Sequence, residues 1–201
     1  MRVVRFLPTL LLSLLLCTCG DRPIDEDGAG VDTPEDTAPD LTPNDGNLDI
    51  YDVDPEDPYL VSNGVFLGLK PGEPLAPYTD ALRKGKLRTG EGKFDVYYID
   101  GAEGNELGYT LADPNDENKI GDIYITSPAV VTEAGIRVGL TYAELTERLG
   151  TVAFHGSEQE GRVYGEHEEL RYRLGMESGK RNLTEADIEP ATEVTEIVIH
   201  R

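Results

Sequence analysis

The stretch Thr132–Gly150, TEAGIRVGLTYAELTERLG, constrains the fold of this sequence most, because it changes periodicity within a few residues. Gly135-Ile136-Arg137-Val138-Gly139 alternates apolar and polar residues between two glycines and predicts a short extended lead-in. Thr141 stands three residues before Glu144, a spacing that satisfies the orphan N–H groups of a starting helix from both side chains. Ala143, Leu145 and Leu149 give that helix its apolar positions, and Gly150 supplies the left-handed residue that ends it. The expected element is a helix of about two to three turns. Half of the pattern occurs earlier, where Gly64-Val65-Phe66-Leu67-Gly68-Leu69 matches Gly135–Leu140.

The residues after each copy also match. After the first, Leu75–Leu82 (LAPYTDAL) reads as a short helix with Pro77 in its first turn, ended by Gly85. Arg83, Lys84, Lys86, Arg88 and Lys93 then read as a charged loop that could dock an acidic partner. Phe94, Val96 and Tyr98 alternate on one face of a predicted strand. Leu107–Leu111 and Ile120–Ile125 read as the next two strands. After the second copy come HGSEQEG, Arg162–Tyr164, Leu170–Leu174 and Glu193–Ile199. L-G-Y-T-L matches L-R-Y-R-L, and G-D-I-Y-I matches T-E-I-V-I, in the same order. Matched landmarks in one order point to an internal duplication. The expected fold class is α+β: two similar units of a helix and three antiparallel strands, over 59–128 and 129–201, packed as one domain. Their alternation puts one sheet face under the helices and the other in water.

The N-terminus carries an address. Arg2 and Arg5 precede a leucine-dominated run, too short to span a bilayer stably. Leu16-Cys17-Thr18-Cys19-Gly20 resembles a bacterial lipobox with leucine at −3 of Cys19; Thr18 stands where glycine, alanine or serine is usual. Residues 1–18 are then a signal peptide, and Cys19 carries a diacylglycerol and acyl (palmitate) anchor. Cleavage there removes Cys17, so disulfides, cysteine catalysis and thiolate metal sites are excluded from the mature chain. From 19 to 58 the chain is acidic and proline-rich, with Arg22 as its one base and few large apolar residues. Such a segment cannot bury enough surface to offset its ordering entropy, and reads as a disordered tether.

The whole chain has 39 acidic against 18 basic residues, a formal charge of −21. Loss of Arg2 and Arg5 makes it more negative still. Nucleic acid, which needs a basic face, is excluded as a partner. Anionic headgroups would not attract such a chain either, so the covalent lipid must hold it on its membrane.

Residues 135–145, followed by Leu149-Gly150 and strands, resemble the repeat of the BamE/SmpA/OmlA-type envelope lipoproteins and of β-lactamase-inhibitor-protein-like domains. Thr132 before the glycine, and two units per chain, also resemble tandem-domain lipoproteins of the RpoE-regulated type. The first unit departs from the pattern, with Lys70-Pro71-Gly72-Glu73-Pro74 replacing the threonine-led cap. The resemblance covers about 64–200. It implies a non-enzymatic binding or scaffold role in the bacterial cell envelope, at the outer membrane facing the periplasm or the cell surface. It brings no catalytic residues, no metal ligands and no cofactor.

No nucleophile elbow or phosphate-cradling loop is present. His155, His167 and Glu168 offer a zinc set, although isolated surface histidines are far commoner. Asp113, Asn115, Asp116 and Glu117 could hold calcium or simply make a hairpin turn. Asp45, Asp49, Asp52 and Asp54 alternate suggestively, but lack the EF-hand loop. The stretch from His155 to Arg162, with His155, Ser157, Glu158, Glu160 and Arg162 as its binding groups and Gly156 and Gly161 allowing tight turns, is the expected partner-binding surface, since connecting loops on a rigid scaffold carry binding groups. A solvated connection explains it too. The favoured function is a tethered binding module for another envelope protein or a small ligand. The alternatives are a hydrolase using paired carboxylates, or a calcium-binding envelope protein. An open sheet face would mark the binding module, and a pocket with convergent carboxylates the enzyme.

Overall fold

The computed structural model describes residues 53–90, 92–157 and 161–201. Along them, β-branched and aromatic residues alternate with polar ones, and the chain answers with strands. β1 (Leu60–Val61) and β6 (Val131–Thr132) form a small parallel pair. Eight further strands make one antiparallel sheet: β2 (Arg83–Thr89), β3 (Gly92–Asp100), β4 (Glu106–Asp113), β5 (Asp116–Ile125), β7 (Ala153–Gly156), β8 (Arg162–His167), β9 (Leu170–Glu177) and β10 (Val194–Ile199). Their order is β2-β3-β4-β5-β10-β9-β8-β7. Two four-stranded meanders therefore meet through their last strands. Among the described residues there is one α-helix, α1 (Tyr142–Leu149).

The expected α+β domain of two helix-plus-three-strand units is not what forms; the chain is mostly β. Three local events account for the difference. Leu75–Leu82 contains only a single 3-10 turn at Ala76–Tyr78. The backbone before it is already committed to β5: Leu75 N–H donates to the Asn118 carbonyl at 2.8 Å and Gly72 N–H to that of Ile120 at 2.7 Å. Tertiary pairing thus overrides a weak local helix signal. Second, the supposed basic loop is β2, an edge strand that needs no buried row of its own. Third, the start of HGSEQEG belongs to β7, with His155 opposite Tyr164 on β8.

α1 forms as the sequence predicts. Thr141 Oγ1 accepts from the Glu144 N–H at 3.3 Å, and Glu144 Oε2 accepts from the Thr141 N–H at 2.8 Å. Gly150 ends it with φ 72°. Leu145 is fully buried, and Tyr142 meets Phe154 edge to face at 5.3 Å. They join Ile123, Ile125, Ile197 and Ile199 of the sheet in one core, with Phe66 and Ile136 from the paired lead-ins. Burying each such side chain contributes roughly 1.5–3 kcal/mol.

The lead-ins themselves are turns, not strands. Gly64 and Gly135, and again Gly68 and Gly139, sit at positive φ. Asn63-Gly64 and Leu67-Gly68 each have φ > 0 at both residues and are closed by the bridges Ser62–Val65 and Phe66–Leu69, as type I′ turns require. Just before them, residues 53–58, expected to belong to the tether, make turns, and Asp57 lies 3.7 Å from the Arg137 guanidinium.

Candidate functional site

Alternation in the strands divides their side chains between two faces. α1, β1, Val130 just before β6, and Leu75, Tyr78 and Ile188 in and beside the 3-10 turns contribute side chains to the core on one face. No described element covers the other face, here called the open face, and a row of side chains in register crosses all eight strands on it. Arg83 pairs with Tyr98, Tyr98 with Tyr109, and Tyr109 with Tyr124. The row continues through Val198, Arg171, Glu166 and Ala153. A second row runs from Glu196 through Arg173 and Tyr164 to His155.

The rings order one another. Tyr109 and Tyr124 stack at 4.8 Å and 7°, and Tyr98 meets Tyr109 edge-on at 6.4 Å. Tyr98 lies across Gly85, where a Cβ would come within 2.5 Å of the ring, so only glycine lets the ring settle on β2. Arg83 stacks over Tyr98 at 4.5 Å and Arg171 over Tyr164 at 5.8 Å. Arg83 is held in turn by Asp100 at 2.7 Å and Glu106 at 3.1 Å. These hydrogen bonds raise the Arg83 pKa further, and the Arg83 bond holds the Asp100 carboxyl below its ordinary value.

Two carboxylates interrupt this surface. Glu196 is only 7% exposed. Burial lifts its pKa above the ordinary value, while Arg173, the Tyr109 hydroxyl (3.4 Å) and Arg162 pull it back. Asp122 is raised for the same reason, with Arg171 and His200 opposing. Burial, aided by Asp122 and Glu196, pushes the Tyr124 phenol up to about 12, and burial with Glu196 raises that of Tyr109 higher still. At neutral pH both phenols are therefore donors, not bases. Glu196 and Asp122 flank Tyr124 on opposite sides, about 13 Å apart along the strands. A groove of about 650 Å³ lies between α1 and residues 183–188, floored by Tyr142, Phe154, Leu183 and Ile188. Neither shifted carboxylate lines it.

The fold scatters the residues picked from the sequence. His155 and Arg162 lie on the open face, at the far end of the Glu196 row and beside it. Ser157 sits in the β7–β8 turn, its N–H donating to the Arg162 carbonyl at 2.8 Å. Glu158 and Glu160 lie outside the described residues, as do Cys19, the leader, and Asp45, Asp49 and Asp52. His167, three residues beyond Tyr164 on β8, belongs to the opposite face from His155, so the zinc set does not converge. Asp113 and Asp116 close the β4–β5 hairpin; their carboxylates accept from Asn115 N–H at 2.8 Å and Asn118 N–H at 3.2 Å. Asp54 likewise accepts from the Glu56 N–H. Among the described residues no group of three or more His, Cys, Asp or Glu gathers as a metal site. Sequence reasoning missed the tyrosines of the row, although each sits between two inward residues of its strand, as in Ile123-Tyr124-Ile125.

These features define a mostly β domain whose eight-stranded sheet has one covered face and one aromatic, arginine-bearing face. No protein-family model and no curated protein matches the chain, so the tandem-lipoprotein likeness rests on residues 64–150 and the matched strands alone. Among solved structures the chain is similar to that described as the uncharacterized protein yfeY from Escherichia coli. The two are 16% identical, the match covers 66% of this chain and 93% of that one, and the TM-score is 0.45.

Proposed function

We propose that this protein is a lipid-anchored binding module of the bacterial envelope that holds a protein partner against the open face of its sheet. The observation that carries the reading is the unbroken row from Arg83 through the three tyrosines to Arg171. Tyrosine and arginine are the side chains that interfaces concentrate, because they give large contact area and directed hydrogen bonds for little lost freedom. The stacked rings are already ordered, which lowers the entropic cost of association. The anchor in this reading is the lipobox-like Cys19, supported by the basic and leucine-rich run that precedes it.

Two measurements test it. A photoreactive residue at Tyr98 should cross-link a partner in intact cells, and one at Glu147 on α1 should not. Replacing Tyr109, Tyr124 and Arg171 together by alanine should abolish the adduct formed from Tyr98. Adducts from both positions, or survival of the Tyr98 adduct in the triple variant, would count against the face. Separately, Cys19→Ala should release the protein from the membrane fraction and abolish labelling by a fatty-acid probe. A variant that stays membrane-bound and labelled would refute the anchor.

A further inference from the structure

The two edges of the sheet are built differently. β7 has four residues, and the 180–183 segment closes its outer side: Gly156 N–H donates to the Lys180 carbonyl at 2.8 Å and Leu183 N–H to that of Phe154 at 2.9 Å. β2 has seven residues, and no described strand lies beyond it. Its register with β3 runs unbroken from Arg83–Tyr98 to Thr89–Gly92, whereas register shifts interrupt the β3–β4, β4–β5, β8–β9 and β9–β10 ladders. A long edge without bulge or proline is the kind that natural sheets usually protect.

Thr89 and Gly92 close the β2–β3 hairpin across two residues, as a hydrogen-bonded pair, and the alternation of an antiparallel ladder then assigns the rest of β2. Arg83, Gly85, Leu87 and Thr89 turn their N–H and C=O groups inward to β3. Lys84, Lys86 and Arg88 turn theirs outward. The side chains alternate in step: Arg83, Gly85 and Leu87 belong to the open face with Tyr98, while Lys84, Lys86 and Arg88 project together from the opposite face, about 7 Å apart. All three are exposed, and Lys93 stands across the hairpin from Arg88. Lys86 meets Asp95 with both side chains largely in water, and Lys84 lies 5.9 Å from the Tyr97 ring. In a chain of 39 acidic against 18 basic residues, each residue that offers its backbone at this edge is a cation.

Such charges turn away a second copy of β2, because like would face like, and they select for an acidic strand. We propose that the outer edge of β2 takes an extended acidic segment of a partner protein as a ninth strand of the sheet. Antiparallel to β2, that segment exchanges main-chain hydrogen bonds with Lys84, Lys86 and Arg88 and sets one side chain opposite each. These three side chains are Asp or Glu at every second position, so they share a face and pair with the cations. Asp95 lies on the far side of β2 from them, about 10 Å away. The position opposite half-buried Leu87 takes an apolar residue. From N to C the segment therefore reads acid, apolar, acid, any residue, acid. A membrane or a compact anion would meet the cations but not the backbone groups. The contact does not rest on the open face, since the three cations leave the sheet on the other side.

The test uses the full chain and a fluorescein-labelled peptide, TVEVETEVT, which carries its acids in that order. A shuffled peptide, TVTEEEVVT, has the same composition and charge without the alternation. By fluorescence anisotropy at low salt, the alternating peptide should bind at least about tenfold more tightly than the shuffled one, and its binding should weaken severalfold toward about 0.5 M salt. Saturating peptide should slow amide hydrogen exchange at Lys84, Lys86 and Arg88 at least about tenfold, with little change at Gly85 and Leu87, whose amides already bond to β3. K84E/K86E/R88E should lose this peptide and bind its lysine counterpart, TVKVKTKVT. The wild-type measurements decide alone should the triple variant not fold. Equal binding of the alternating and shuffled peptides, or binding without protection at those three amides, overturns the proposal. Failure of the wild-type chain to bind the alternating peptide overturns it as well.

Discussion

Glu196 is a carboxylate 7% exposed on the face that otherwise meets water, which gives it a defined effect on stability. Burial raises its pKa in the fold above the ordinary 4.5. The folded chain then holds a proton that the unfolded chain has released, so stability falls as pH rises from about 4.5 until the folded group ionises. Glu196→Gln keeps an acceptor for Tyr109 and removes the charge. Calorimetry should show it melting level with wild type near pH 4 and a few degrees higher at pH 7. No gain at pH 7 would mean that Arg173, Tyr109 and Arg162 offset the burial fully. The outward position of Glu196 was legible from alternation in Thr195–Ile199. Its burial was not, because the covering groups come from other strands and one sequence carries no register. His155 and Arg162 were picked as loop residues and reach the open face only because β7 and β8 are strands.

Among elements, the tandem type I′ turns at 62–69 pair a good turn with a strained one. Asn63-Gly64 is the preferred chemistry, whereas Leu67 carries φ 50° with a side chain that disfavours it and is 44% exposed. Leu67→Asn should therefore stabilise the protein by about 1 kcal/mol in urea unfolding. A loss instead would mean that the leucine makes contacts worth more than the strain. The matched glycines were visible in the sequence, but their extended reading failed: alternation between glycines also fits a turn when both glycines take positive φ. α1 was readable because a capping box is local. The segment Leu75–Leu82 was misread because its backbone partners lie more than forty residues away on β5. β2 escaped notice because a charged edge strand shows no apolar row.

For the molecule as a whole, α1 is fastened to the sheet through Leu145, fully buried against the core. Leu145→Ala should cost about 2–5 kcal/mol in denaturant unfolding, with the larger loss if the site cannot collapse. A cost under about 1 kcal/mol would mean that the helix is not a structural part of the core. Sheet size lay beyond the sequence, since both edges are polar or short, and what could be read was one buried face. The position of β10 adds a kinetic consequence. The strand latest in the chain stands mid-sheet, between β5 and β9, and its Ile197 and Ile199 fill the centre of the core. During synthesis the first meander can zip up from neighbouring hairpins, yet β5 and β9 keep bare inner edges until residues 194–199 arrive. For that interval the chain presents two templates for any passing strand, so the delay in delivering its final segment sets its exposure to misassembly.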